Sequence, residues 1–356
     1  MVCCPQSANA VEITHVEGTT LHIKGIGLNI DTRWIDGDLE RLSDMLARVA
    51  AMGYDAAELS PHSVDAIRRG QLDRHQVARV RSITSSFPLH YTVHAPNGLN
   101  VAHHEDLDLQ IQVFEACLDF CAEVESDVLV YHSGQIGLER AALGLAPLPT
   151  TEELESYWDT ETANLAGLAD YAARLGVTIA VENRDPHLWE IATLARAGYP
   201  AAELPTFHGG MRLDLLCAQV REIGAPNVGL TLDVGHAYLA APFWSTDFCS
   251  GLIEAAPYVR HLHWHDNFGR LDGLSSAQHD RLPNGEGDLH LPPGWGDIPL
   301  DTVQAALGDY AGWLTVEIRP RYRAHYQEAL AATRALLATR QPRLAQAVYD
   351  RVAIVD

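Results

Sequence analysis

The chain has 356 residues, 47% of them hydrophobic, and carries 47 acidic residues against 25 lysines and arginines. Its net charge of −22 opposes binding to nucleic acid or to an anionic membrane surface, and we expect neither partner. No stretch approaches the roughly 18 consecutive apolar residues of a membrane span. These properties predict a cytoplasmic protein with a small-molecule partner, and they leave open whether it forms a homo-oligomer.

Short apolar runs alternate with longer segments of helical periodicity along most of the chain. Eight runs are predicted to be strands: Gly25–Ile30, Ala56–Leu59, His90–His94, Val128–His132, Val177–Glu182, Val228–Asp233, Val259–His263 and Trp313–Ile318. Apolar residues recur at three- and four-residue spacing in the segments predicted to be helices, which include Leu39–Met52, Leu107–Val124, Tyr157–Leu175, Thr302–Tyr310 and, after the last strand, His325–Thr339.

The predicted strands are mostly continuous apolar runs, which is typical of a parallel sheet covered by helices. Eight strands, each followed by a helix or a long loop, predict an α/β fold, a single (β/α)8 TIM barrel over residues 23–340. An irregular extension is predicted at residues 1–22, and a tail or helix end at 341–356. An open doubly wound sheet is the alternative, but the Gly-rich phosphate turn that it needs is missing.

Two connections between predicted strands are long. The connection after the fifth strand, from Asp185 to Asn227, contains one predicted helix near Arg212–Ile223. The connection after the seventh strand, from Phe268 to Pro299, is predicted to be nearly free of helix. Loops of this length in a compact domain are usually functional. We predict that both cover the catalytic face of the barrel.

Residues that commonly bind metals end nearly every strand from the third onward. They are His94, His132, Glu182, Asp233, His263 and Glu317. In a closed barrel these strand ends form one ring. Three neighbouring buried carboxylates without positive charge cost several kcal/mol. Because a divalent cation removes that cost, and Glu, Asp and His are suitable ligands, the ring predicts at least one metal ion.

The seventh strand offers three histidines with a spacing of two. His261, His263 and His265 therefore share one face of the strand, and spacing alone does not say which of them reaches the metal. Glu58 ends the second strand, where it either reaches the pocket or pairs with an arginine.

The order and placement of the motifs resemble the xylose isomerase-like TIM barrels, which include sugar isomerases and epimerases and the family 2 AP endonucleases. The resemblance spans about residues 25–340 and rests on Val-His-Ala-Pro, Val-Tyr-His-Ser-Gly, Ala-Val-Glu-Asn-Arg, Thr-Leu-Asp-Val-Gly-His, His-Leu-His-Trp-His-Asp-Asn and Thr-Val-Glu-Ile-Arg. Similarity to the sugar epimerases implies one metal ion bound by Glu182, Asp233, His263 and Glu317. It thereby selects His263 among the three histidines.

The endonuclease branch of the family has further zinc ligands. The resemblance matches His94 and His132 to a second metal site, and His236 to a third. That third site also needs an Asp-x-His after the seventh strand, where the matching stretch, Asp280–Leu282, has leucine in place of histidine. His279 and His290 remain as substitutes. We therefore expect one or two divalent metal ions. The sequence leaves open whether the metal is Mn, Zn, Fe, Co or Mg.

The resemblance to sugar epimerases implies a metal-dependent isomerase or epimerase that acts on a sugar or cyclitol through an enediolate. Glu182 and Glu317 would be the base and the returning acid. His236 and Arg319 would bind substrate oxygens or, alternatively, support Asp233 and neutralise nearby acids. A dehydratase is one alternative function, and a metal-dependent endonuclease or phosphodiesterase is another, against which the net charge and Leu282 argue.

Two residues near the predicted rim of the barrel are further candidates for contact with a substrate. Asn183 directly follows Glu182 at the end of the fifth strand. Trp295 lies in the predicted cover after the seventh strand, where an indole could cap one face of a sugar.

Overall fold

A computed structural model of the protein describes residues 21–273 and 278–339. The predicted tail at 341–356 lies outside the described residues, as does all but the last two residues of the predicted extension at 1–22. In the described part of the chain, no helix is both long and apolar enough to cross a bilayer.

Eight parallel strands close into a barrel, which confirms the predicted TIM-barrel fold. They are β1 (Gly25–Asn29), β2 (Ala56–Leu59), β3 (His90–His94), β4 (Val128–His132), β5 (Thr178–Glu182), β6 (Val228–Asp233), β7 (Val259–Trp264) and β8 (Trp313–Val316). Each strand pairs with its neighbours in chain order, and β8 pairs with β1. The carboxyl ends of all eight strands therefore meet at one end of the barrel.

Helices follow the strands and cover the outside of the barrel. Those of the described chain are α1 (Thr32–Ile35), α2 (Leu39–Met52), α3 (Arg74–Thr84), α4 (Leu107–Glu123), α5 (Glu139–Ala142), α6 (Thr151–Leu175), α7 (Leu188–Arg196), α8 (Leu204–Phe207), α9 (Leu213–Ile223), α10 (Val234–Ala240), α11 (Phe248–Ala255), α12 (Gln278–Arg281), α13 (Leu300–Ala306) and α14 (Tyr326–Ala338). A two-stranded hairpin, Ile67–Arg68 with Gln71–Leu72, precedes α3.

The helix α2 shows how the sequence specifies these elements. Its first turn is capped by Asp38, whose carboxylate accepts hydrogen bonds from two main-chain N–H groups. Leu42 and Leu46 lie one turn apart and are fully buried against the barrel, and each such side chain contributes about 2 kcal/mol. The helix ends at Met52 and is capped by Gly53, whose φ of 87° is in the left-handed region that glycine adopts without strain.

The prediction of a single helix in the connection after β5 is wrong, because α7 and α8 lie there as well as α9. Leu194, Leu204 and Phe207 are buried with Leu138 and Met211 in a small apolar core of their own. Burial outside the barrel therefore stabilises helices in a segment whose Ala, Pro and Gly content suggests a loop. The connection after β7 is as expected: apart from the four-residue α12 and a short 3-10 turn, the described part contains no helix.

Candidate metal centre

Four side chains from the ends of β5 to β8 converge at the centre of the barrel's carboxyl end. Nδ1 of His263 lies 2.8 Å from Oε1 of Glu182 and 2.9 Å from Oε2 of Glu317. The same atom lies 3.7 Å from Oδ2 of Asp233. One ligand atom from each of the four residues lies within 4.8 Å of the others. We call Glu182, Asp233, His263 and Glu317 the quartet.

Asp233 is held in place from three directions. It is the N-cap of α10, and its Oδ1 accepts a 2.7 Å hydrogen bond from the main-chain N–H of His236. Nε2 of His265 lies 3.0 Å from both carboxylate oxygens. The side-chain amide of Asn183 bonds both main-chain groups of Asp233, at 2.9 and 3.0 Å. These contacts fix the carboxylate before any ligand arrives.

The charges of the quartet are balanced within the protein by histidine alone. In the described part of the chain, every ion-pair partner of Glu182, Asp233 and Glu317 is a histidine. Burial alone raises the pKa of Glu182, but the charges of His132 and His263 outweigh it and hold the pKa well below its usual range. For Glu317, His263 similarly outweighs burial, and its pKa falls to about 2.

The residues of the quartet fit a divalent cation. Three carboxylates that only accept hydrogen bonds face one imidazole nitrogen, in a site where Asp233 and His263 are fully buried. Burial lowers the pKa of His263, yet the neighbouring carboxylates raise it well above its usual value, so a proton supplies the positive charge. A cation bound by these four ligands would take the place of that proton.

A second group of ligand atoms adjoins the quartet through Glu182. Nε2 of His132 lies 2.9 Å from Oε2 of Glu182, and Nε2 of His94 lies 3.2 Å from the same oxygen. His94 and His132 therefore lie at the strand ends where the sequence predicts them, and both contact the carboxylate oxygen that does not face His263. Glu182 is shared between the two groups, with one carboxylate oxygen turned to each.

A third group comprises His236, Asp288 and His290. Nδ1 of His236 lies 2.9 Å from the carbonyl oxygen of Asn183, and its Nε2 lies 3.8 Å from Oδ2 of Asp288. Nδ1 of His290 lies 3.0 Å from the carbonyl oxygen of Glu317, and its Nε2 contacts Asp288. Two imidazole nitrogens and a carboxylate thus face one another beside the quartet.

This third group corrects the expectation that Leu282 disrupts the Asp-x-His of the third site. The Asp-x-His that reaches His236 is Asp288-Leu289-His290, which begins eight residues after Asp280. Asp266 positions this part of the loop, because its carboxylate accepts hydrogen bonds from the main-chain N–H groups of Gly294 and Ile298. The motif is visible in the sequence, and its His290 is one of the two histidines named above as substitutes.

Three residues predicted to contact the substrate, Asn183, Arg319 and Trp295, have different surroundings in the structure. Asn183 is buried and its amide bonds the main chain of Asp233, so the structure gives it a positioning role instead. Arg319 lies at the rim, 38% exposed, with one guanidinium nitrogen 3.4 Å from Oδ2 of Asp288, which agrees with the neutralising alternative. Trp295 donates its indole N–H to Glu328 on α14 and packs against Tyr322 and His325.

The two histidines of β7 and His265, the residue directly after it, have different contacts. His261 contacts Glu58, His263 contacts both Glu58 and the quartet, and His265 contacts Asp233. Among the described residues, Glu58 therefore pairs with histidines and not with an arginine. Spacing alone indicated the shared face, while the roles of Glu58, His265 and Asp288 became visible only in the structure.

Comparison with known proteins agrees with this architecture. A profile of the xylose isomerase-like TIM-barrel family matches residues 46–339, and the chain belongs to that family. A curated relative, the uncharacterized protein MJ1311 of Methanocaldococcus jannaschii, is 23% identical over 285 residues, which are 78% of this chain and 79% of the relative.

Solved structures share the fold at low sequence identity. A D-tagatose 3-epimerase-like protein aligns with a TM-score of 0.60 and 19% identity, over 88% of this chain and 100% of its own. The IolI protein, solved with a bound zinc atom, aligns with a TM-score of 0.58 and 17% identity, over 88% and 96%. The 3-keto-D-glucoside 4-epimerase YcjR from E. coli aligns with a TM-score of 0.58 and 15% identity, over 87% and 98%.

Proposed function

We propose that the protein is a metal-dependent isomerase or epimerase of a small polyhydroxylated carbonyl compound, a sugar or a cyclitol. The observation that carries this proposal is the quartet, in which two glutamates from β5 and β8 approach one imidazole nitrogen at 2.8 and 2.9 Å. The family membership and the sugar epimerases among the structures of the same fold support the choice of reaction.

The reaction needs a base that removes a proton next to the carbonyl carbon and an acid that returns it. Glu182 and Glu317 have lowered pKa values and are ionised near neutral pH, so either can accept the proton. They reach the centre from different strands, and we propose that the substrate binds between them. A divalent cation at the quartet supplies positive charge beside the oxygens that become negative when the proton leaves.

The proposal is tested by proton exchange, which can be followed without identifying the product. Metal-loaded protein is incubated in D2O with a panel of ketoses and keto-cyclitols, and deuterium incorporation next to the carbonyl is followed by NMR. We expect incorporation with at least one compound and a loss of about 10²–10⁴-fold in Glu317→Gln. Glu328→Gln, an exposed position on α14, is the matched control. Full activity in Glu317→Gln would exclude Glu317 from proton transfer.

The second and third ligand groups favour a second candidate, hydrolysis of a phosphoester. Proton transfer at a carbonyl needs only the quartet, and it gives no role to His94 and His132 or to Asp288 and His290. Divalent ions held side by side and bridged by a carboxylate are typical of enzymes that hydrolyse phosphoesters. Glu182, with one oxygen toward each of two groups, has the position of such a bridge. The net charge favours a small phosphoester over a nucleic acid.

The number of bound ions separates the two candidates. The protein is loaded with Zn²⁺ or Mn²⁺, dialysed to remove loosely bound metal, and subjected to elemental analysis. One ion per chain is expected if only the quartet binds metal, and two or three ions are expected if the flanking groups bind as well. In the second case Asp288→Asn should lose one ion, and cleavage of bis(p-nitrophenyl) phosphate should fall with it. One ion per chain, together with no cleavage of that ester, would exclude hydrolysis.

A further inference from the structure

Three of the histidines that face the carboxylates are held by their second ring nitrogen. In His94, His236 and His290, Nδ1 lies 2.6, 2.9 and 3.0 Å from a main-chain carbonyl oxygen. Because a carbonyl only accepts, Nδ1 carries the proton and Nε2 is the atom presented to the carboxylates. His263 is reversed: its Nδ1 faces the quartet, and its Nε2 lies 3.1 Å from Oε1 of Glu58.

The position of His263 in the fold explains this reversal. His94 ends β3, while His236 and His290 lie beyond strand ends, where carbonyl groups are free to accept. His263 lies inside β7, whose main chain is paired on both sides with β6 and β8. The acceptor that faces Nε2 of His263 is therefore a side-chain oxygen, which Glu58 supplies from β2 across the barrel.

Glu58 is itself fixed by donors on the neighbouring strands. Its Oε2 accepts a hydrogen bond from Thr92 on β3 and faces Nε2 of His261, both at 2.9 Å, while Asn29 on β1 donates to Oε1 at 3.2 Å. The Glu58 side chain is buried. Each oxygen of Glu58 thus accepts a hydrogen bond from a side-chain donor, so the nitrogen of His263 that faces Oε1 carries the proton of this contact.

We propose that Glu58 is a positioning residue whose carboxylate holds the Nε2 proton of His263, fixes the ring, and leaves Nδ1 free to bind the cation of the quartet. The inference rests on the proposed metal binding by the quartet. Partners of this kind orient a ligand histidine and increase its basicity, and their loss commonly weakens metal binding by about 10–100-fold.

The competing interpretation is that Glu58, His261 and His263 bind an ion of their own, since their ligand atoms lie within 4.8 Å of one another. Such an ion would need Nε2 of His263, the atom that holds the proton in our proposal. The two interpretations therefore differ in the number of bound ions that is lost when Glu58 is replaced. Our proposal expects no ion to be lost, and the competing interpretation expects the loss of one.

The test is a titration of the metal-free protein with Co²⁺, whose visible absorption reports binding, in competition with a chelator of known affinity. Glu58→Gln keeps the size of the side chain and one acceptor oxygen but removes the charge. We expect the affinity of the quartet to fall by about 10–100-fold, with the number of ions unchanged. Glu190→Gln is the matched control, because Glu190 is also buried and lies 2.9 Å from a buried histidine, His208, away from the quartet. Its Co²⁺ affinity should equal that of the wild type.

Unchanged affinity in Glu58→Gln would overturn the proposal, and so would the loss of one ion at unchanged affinity of the rest. A wild type that binds no Co²⁺ would instead remove the proposed metal centre, and the inference with it. If Glu58→Gln does not fold, a crystal structure of the Co²⁺-loaded wild type decides. Nδ1 of His263 on the ion, with Nε2 toward Glu58, is the expected result, and Nε2 on the ion contradicts it.

Discussion

At the amino ends of the strands, Asp127 is 2.6 Å from Nζ of Lys24 and 3.0 Å from Nε2 of His90, and its side chain is 37% exposed. At the carboxyl ends, Asp233 is fully buried, and in the described chain its ion-pair partners are histidines alone. Both ends of the barrel thus carry Asp and His, but they differ in the source of positive charge.

This difference indicates where the protein needs an external cation. Lysine carries a permanent charge near neutral pH, so the pair at the amino ends is complete in the folded chain. Histidine is charged only while it holds a proton, and the same nitrogen binds a metal once the proton has left. The predictions that follow test this contrast, beginning with the largest expected effect.

Replacing Asp233 should remove the stabilisation that a bound cation gives. An ion present at about 1,000 times its dissociation constant stabilises the folded protein by about 4 kcal/mol. A chelator should therefore lower the melting temperature of the wild type and of Asp127→Asn, but not that of Asp233→Asn, as followed by calorimetry. Equal sensitivity to the chelator in Asp233→Asn would place the ion outside the quartet.

A buried carboxylate away from the quartet tests whether histidine alone can balance a charge. Glu190 lies 2.9 Å from Nδ1 of His208. Burial raises its pKa, but His208 and His187 outweigh burial and lower it from 4.5 to about 2. The lowered value contributes roughly 3 kcal/mol of stability above about pH 4.5, which is lost as the pH falls toward 2.

Glu190→Gln should therefore unfold at lower urea concentration than the wild type at pH 7, and the difference should narrow below about pH 4.5. The chelator should not change this difference. Glu155→Gln, at an exposed position on α6, serves as the control and should match the wild type at each pH. A difference independent of pH would show that Glu190 stabilises the loop by packing and not by its charge.

Much of the barrel could be predicted because each strand is a short apolar run between recognisable helix boundaries. The predicted and observed ends of β2, β3, β4 and β6 are identical, and β8 ends two residues earlier than predicted. α7 was missed although its own segment is amphipathic, because the Ala, Pro and Gly residues of the connection suggest a loop. The apolar core that stabilises it, with Leu138 and Met211, cannot be recognised from the segment alone.

The candidate site could be predicted only in part, because some of its residues are placed by the barrel topology and others by long-range contacts. Strand-end residues such as Asp233 follow from topology, since a closed barrel brings all strand ends together. Asp288 lies in a loop, whose path depends on long-range contacts such as the hydrogen bonds that Asp266 accepts. Glu58 could be placed at a strand end, but its partner across the barrel could not be chosen from the sequence.

Gly235→Ala tests how tightly the support of Asp233 is packed. A Cβ atom at this position would lie 2.0 Å from Cε1 of His265, the ring that faces both oxygens of Asp233. The ring would have to move, so we expect a loss of about 1–3 kcal/mol in the free energy of unfolding and weaker metal binding. Gly167→Ala is the control, because a Cβ there meets no atom within 4 Å and a helix interior favours alanine. Unchanged metal affinity in Gly235→Ala would show that His265 does not hold Asp233.

The smallest effect is expected at the amino ends of the strands. Lys24→Met removes the cation that pairs with Asp127, but both side chains are more than a third exposed, so water screens the charge. We expect a loss of less than about 1 kcal/mol in urea unfolding, which shrinks further in high salt. His90 still contacts Asp127 in the variant and stacks on Trp313 with a ring separation of 4.3 Å, so the local structure should persist. A loss as large as that of Asp233→Asn would show that the two ends balance charge alike, and the case for an external cation at the carboxyl ends would lose its basis.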